Sequence, residues 1–113
     1  MEPKSFPYLS FLPPDFSDPG MDVYEIELNP SDIPLAPFKS SRFTVEPGRT
    51  SQRDTHSVRE MWMVAQGSGE LFYDGQSYRL EPGNVVYFDP PKTHQLKNDG
   101  TETFMAFSIW WKA

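Results

Sequence analysis

Turn-forming pairs divide this chain into pieces too short for long helices. Pro47-Gly48, Gly67-Ser68-Gly69, Asp74-Gly75, Pro82-Gly83 and Asp99-Gly100 all fall between residues 47 and 100. Proline fixes φ for a turn and glycine opens the left-handed region, so each pair ends the element before it. Between them lie runs rich in β-branched and aromatic residues at 42–46, 60–66, 69–73, 76–80, 85–88 and 103–111. Upstream, Tyr24, Ile26 and Leu28 alternate with Glu25 and Glu27, the pattern of a half-buried strand. Asp74-Gly75 predicts a type I′ hairpin into the strand 76–80. Asp99-Gly100 predicts a second hairpin, between the strand that carries His94 and the terminal strand. Val85-Val86-Tyr87-Phe88 reads as a buried run. The expected fold class is all-β, a sandwich or barrel.

Chemistry concentrates between Gly48 and Asn98. Strand side chains alternate faces with period two, so Asp54, His56 and Glu60 share a face if 54–60 is strand. Trp62 and Val64 have the same parity and continue that face as an apolar wall. The chain then returns and delivers His94 from Pro90-Pro91-Lys92-Thr93-His94. Two imidazoles and two carboxylates converging on one apolar-walled face form a set that binds a divalent transition metal.

The spacing carries a resemblance. Gly48-x5-Asp54-x-His56-x3-Glu60-x6-Gly67 resembles the first motif of the cupin superfamily, with Asp54 where a histidine usually stands. Gly83-x5-Asp89-x-Pro91-x2-His94-x3-Asn98 resembles the second, with Asp89 and Pro91 in place of the usual proline and glycine. The resemblance covers roughly residues 40 to 111 and implies a double-stranded β-helix, or jelly-roll barrel, of the small single-domain, conserved-barrel kind. It implies that His56, Glu60 and His94 stand at three of the four usual metal-ligand positions, and Asp54 at the fourth. It does not fix a reaction, because cupins include dioxygenases, isomerases, lyases, decarboxylases, cyclases, sugar-binding regulators and storage proteins.

Aspartate in place of histidine changes the charge of such a centre. Two carboxylates with two neutral imidazoles neutralise a divalent ion, and this O2N2 set suits Fe, Mn, Ni or Zn. Asp54 can be a metal ligand, an acceptor for His56, or a general base beside the metal. Glu60 on an inward face needs a partner to offset its desolvation. Asp54 and Glu60 are accordingly the candidate catalytic residues, and Phe43, Trp62, Tyr87 and Phe104 the candidate substrate-pocket walls, with Trp110 beside them. Arg42, Arg49, Arg53 and Arg59 are candidates for receiving an anionic substrate, the alternative being solvation or pairing with the surplus acids.

The remaining inferences are coarser. A chain of 113 residues makes one domain. Residues 1–38 read as an extended, proline-rich arm and strand packed on the barrel or on a dimer partner, and 39–113 as the barrel. The terminal strand is apolar on both parities, with Phe104, Ala106 and Trp110 on one and Met105, Phe107, Ile109 and Trp111 on the other. A solvated face would be polar, so a homodimer is expected. A net charge of −6 argues against nucleic acid or an anionic membrane as partner. The absence of cysteine removes disulfides and thiolate ligands. With neither a membrane span nor a secretion signal in the sequence, the expected location is cytoplasmic. The function these readings favour is a metal-dependent enzyme acting on a small molecule, dioxygenase-like first. Metal-assisted isomerisation, elimination or cyclisation is the alternative, and a non-catalytic small-molecule-binding module the rival of a different class.

Overall fold

The computed structural model describes residues 8–14, 20–28 and 36–113. The Asn29-Pro30-Ser31-Asp32 turn, the segment 33–35 and parts of the proline-rich arm lie outside the described residues. The described chain forms eight strands: β1 (Met21–Glu25), β2 (Lys39–Val45), β3 (Val58–Gln66), β4 (Gly69–Tyr73), β5 (Gln76–Leu80), β6 (Val85–Phe88), β7 (His94–Lys97) and β8 (Phe104–Lys112). Every pairing is antiparallel, in a five-stranded sheet β1-β2-β8-β3-β6 and a three-stranded sheet β5-β4-β7. The all-β jelly-roll expectation holds. No helix of the described residues is long and apolar enough to cross a membrane.

Alternation explains how the two sheets face each other. Phe43 and Val45 on β2, Trp62 and Val64 on β3, Leu71 on β4, Leu96 on β7, and Phe104 and Ala106 on β8 all point inward and are buried. Each large side chain so removed from water contributes on the order of 2 kcal/mol. The β4–β5 hairpin forms as its sequence predicts, because Asp74 and Gly75 both take positive φ, 50° and 81°. Gly67 tolerates no other residue: φ is +76°, and an added Cβ would lie 2.8 Å from the Thr103 carbonyl oxygen.

Four sequence expectations are corrected. Asp99-Gly100 does not close a hairpin, since β7 and β8 lie in different sheets. Asn98, fully buried, sets the path instead. Its Nδ2 donates to the carbonyls of Val45 (2.8 Å) and Glu102 (2.9 Å), and its Oδ1 accepts from the Gly100 amide at 3.0 Å. The run 85–88 is not buried throughout: β6 is an edge strand, Val85 and Tyr87 are 60% and 42% exposed, and only Val86 and Phe88 face the core. The first strand is Met21–Glu25, a few residues earlier than the Tyr24–Leu28 alternation suggests. Ile26 instead bridges to Phe11 of the arm.

The fourth concerns parity. Residues 54–60 are not one strand. The segment leading to β3 runs along β7, with Ser51 N donating to Leu96 O at 2.7 Å. Asp54 and His94 exchange both backbone hydrogen bonds, at 2.9 and 3.0 Å. The chain then crosses to the other sheet and enters β3 at Val58.

On the outer face, the described part of the arm pairs with its own chain. Leu12 N donates to Glu25 O and Glu27 N to Ser10 O, both at 2.8 Å. Phe11 packs edge-on to Tyr24, and the Arg42 guanidinium sits 4.4 Å above its ring.

Candidate metal centre

Three elements deliver three side chains to one end of the space between the sheets. Glu60 projects inward from β3, opposite Phe88 of β6 and Trp110 of β8. His94 opens β7 on the other sheet and is 2% exposed. His56 hangs from the crossing segment between them. One ligand atom from each, and from no other side chain in the group, lies within 4.8 Å of the others.

With His56 neutral, one hydrogen bond decides where its proton sits. His56 Nδ1 lies 3.1 Å from the Val58 carbonyl oxygen, which can only accept, so Nδ1 carries the proton. The lone pair of Nε2 then faces Glu60 Oε1 at 2.9 Å. His94 Nε2 stands 3.3 Å from the same oxygen, and neither ring nitrogen of His94 has a hydrogen-bond partner. The His94 ring is fixed by packing, stacked on Phe88 at 4.2 Å and 7° and edge-on to Trp62. An imidazole lone pair and a carboxylate oxygen in contact repel one another, and a buried orphan nitrogen is costly. A cation among Nε2 of both histidines and Oε1 of Glu60 relieves that repulsion and gives His94 Nε2 a partner, so the residues present fit a divalent metal ion.

The second oxygen of Glu60 is already engaged. Oε2 accepts from Trp62 Nε1 at 3.0 Å and from the Ser108 hydroxyl in a short contact. Without an ion, burial pushes the Glu60 carboxyl up, but a proton shared from His94, the Ser108 hydroxyl bond and a proton shared from His56 outweigh it and hold it at about 2; an ion takes the place of those protons. Glu60 is therefore an anion at any ordinary pH, with Oε2 anchored and Oε1 offered.

A cavity of about 340 Å³ opens from this cluster toward solvent. Its apolar walls are Met21, Val23, Phe43, Val58, Trp62 and Trp110, and Ser41 and Ser108 add hydroxyls. Among the expected site residues, His56, Glu60, His94, Phe43 and Trp62 are brought together. Asp54 is placed beside them, not within the group. It lines the cavity, but its side chain is 53% exposed and its Oδ2 is 4.0 Å from His94 Nε2. Its backbone belongs to the β7 side, so no shared strand face carries it toward Glu60.

Phe104 is fully buried core, packed 6.2 Å from Phe43 and behind the cavity wall. Tyr87 does not line this cavity. Register pairs it with Met61, so it faces outward, where it stacks on Trp111 and accepts a hydrogen bond from Arg59. Its neighbour Phe88 occupies the inward position under His94. Sequence reasoning also missed Ser108, although a lone hydroxyl in the otherwise apolar terminal strand was the available signal.

The cupin domain model matches residues 41–110, which takes in both halves of the barrel and every residue of the cluster. The chain belongs to the cupin family. A conserved-barrel cupin from Salinispora arenicola is 34% identical, with 80% of this chain and 76% of that chain covered and a TM-score of 0.71. The cupin domain of an XRE-family transcriptional regulator from Enterobacter cloacae is 25% identical, covering 83% of this chain and 98% of that one, at a TM-score of 0.69. A predicted oxalate decarboxylase from Thermotoga maritima, 15% identical over 93% of this chain and 92% of that one, shares the fold at a TM-score of 0.70. Proteins of such different descriptions share the barrel, so the reaction has to be argued from this cupin's own pocket.

Proposed function

We propose that this cupin is a metal-dependent enzyme acting on a small organic molecule, with one divalent ion (Fe, Mn, Ni or Zn) held by His56, Glu60 and His94. The observation that carries this reading is the convergence of three potential ligand atoms, one of them on a buried nitrogen without a hydrogen-bond partner, at a site that opens onto a cavity. Two histidines and one carboxylate on one side of an ion form the facial set associated with oxygen-using non-heme iron, which makes dioxygenase-like chemistry the first reading. Bound there, the ion supplies Lewis acidity or oxygen activation. The chain's own residues do the rest. Phe43, Trp62 and Trp110 exclude water and hold an apolar substrate over the cluster, while Trp62 and Ser108 keep Glu60 oriented.

A second reading rests on Asp54. A carboxylate that lines the cavity yet stands outside the cluster is placed to take a proton from a bound substrate, which suits isomerisation or elimination. Metal analysis tests the common part of both readings. Protein purified without chelator, or reconstituted with each of the four ions, should carry about one ion per chain. No ion in any preparation would overturn the proposal. Oxygen consumption in the iron-loaded form, set against turnover without oxygen, separates the two chemistries.

A further inference from the structure

We infer that the pocket selects an uncharged, largely apolar molecule bearing hydroxyl groups, and rejects dicarboxylates and phosphate esters. The inference deepens the proposed function in taking the cavity as the substrate site, and it stands on where the cations of this chain are. Among the described residues no lysine or arginine lines the cavity.

The four arginines that the sequence offered to an anion all point elsewhere. Arg42 lies over Phe11 on the outer face of the five-stranded sheet. Arg59 is outside as well, bonded to Tyr87 and 3.3 Å from Asp89. The Arg49 side chain packs against Gly20, and Arg53 lines a separate groove with Phe72 and Asp74. Lys39 and Lys112 line a neighbouring groove that shares Val58 and Trp110 with the cavity, and neither lines the cavity itself.

What the cavity does hold is negative or neutral. Glu60 is ionised, and Asp54 stands at the wall, half exposed. A divalent ion with these two carboxylates sums to zero charge, so a dianion entering would bring two charges with no lysine or arginine among the described cavity-lining residues to offset them. Desolvating such a group without a partner is strongly unfavourable. An uncharged ring, by contrast, gains contact with Phe43, Trp62 and Trp110. A hydroxyl on it finds an acceptor in Asp54.

The test compares two planar aromatic molecules of similar size, each offering an adjacent pair of oxygens: catechol, uncharged at neutral pH, and phthalate, a dianion. Binding is read by calorimetry and by quenching of the tryptophans that line the cavity, on zinc-loaded and metal-free protein, so no turnover is required. Catechol should bind at least tenfold more tightly than phthalate to zinc-loaded protein, and Met21→Lys should raise phthalate affinity at least tenfold. Val23→Lys serves the same purpose if Met21→Lys does not fold. Phthalate binding as tightly as catechol, or neither molecule binding in either form, would overturn the inference. If the protein takes no metal but metal-free protein still prefers catechol, the substrate class stands and the metal-dependent function falls.

Discussion

Ser108→Ala tests whether the donors behind Glu60 build the metal centre or merely fill the core. The hydroxyl donates to Glu60 Oε2 from β8, and among the described residues the other donor on that oxygen is Trp62 Nε1. A buried hydrogen bond to a charged group is worth about 1.5–3 kcal/mol, and groups that orient a metal ligand typically change affinity about 10- to 100-fold. Because Trp62 remains, the lower half of that range applies, about 10- to 30-fold in metal dissociation constant. The carboxyl would also move up from about 2, since the lost hydroxyl is one of the groups holding it down. Competition against a chelator of known affinity measures the first effect. Denaturant unfolding of the metal-free protein measures any general loss of stability separately. Trp62→Phe removes the second donor while keeping most of the ring, and with Ser108→Ala it should weaken metal binding further than either change alone. Metal affinity unchanged within twofold in both single variants would refute the role given to these donors.

Two further outcomes follow from the same geometry. His94→Ala should weaken metal binding at least 100-fold and Asp54→Ala less than tenfold, because His94 offers a lone pair in the cluster while Asp54 stands at its rim; equal losses would make Asp54 a full ligand. We also propose that a second copy of the chain covers the outer face of the five-stranded sheet, where Met61, Met63, Phe107 and Ile109 lie side by side half-buried. Sedimentation equilibrium should then give a dimer that Ile109→Glu converts to monomer, and a monomeric parent protein would refute it.

Much of the barrel was readable because its signals are local. Asp74-Gly75 dictates a hairpin through two positive φ values, and inward alternation names Phe43, Trp62, Val64 and Leu96 without reference to anything distant. The errors share one cause, which is that strand partnership is a long-range property. Asp99-Gly100 reads as a hairpin until the buried Asn98 amide, bonded to Val45 far back in the chain, shows that the next strand joins the other sheet. Tyr87 and Phe88 differ by one residue, and only the register against Met61 and Glu60 decides which faces His94. Asp54 illustrates the same limit. Period-two counting from Glu60 assumes an unbroken strand, and the backbone exchange between Asp54 and His94 is what breaks it. Motif spacing grouped Asp54, His56, Glu60 and His94; the last three do lie together, because that spacing summarises long-range geometry.

His94 belongs to the three-stranded sheet, Glu60 to the five-stranded one, and His56 to the segment that passes between them. An ion held by all three is thus a clasp across the open end of the sandwich, while Phe104, Val45 and Asn98 close the other end without it. Stability should be distributed accordingly along the long axis of the barrel. Removing the ion would raise amide hydrogen exchange around residues 54–60 and 94–95, where strand pairing is held by few bonds, and leave the Asn98 end as slow as before. A ligand of the cavity would then report its presence through the spreading or closing of two sheets rather than through the movement of a lid.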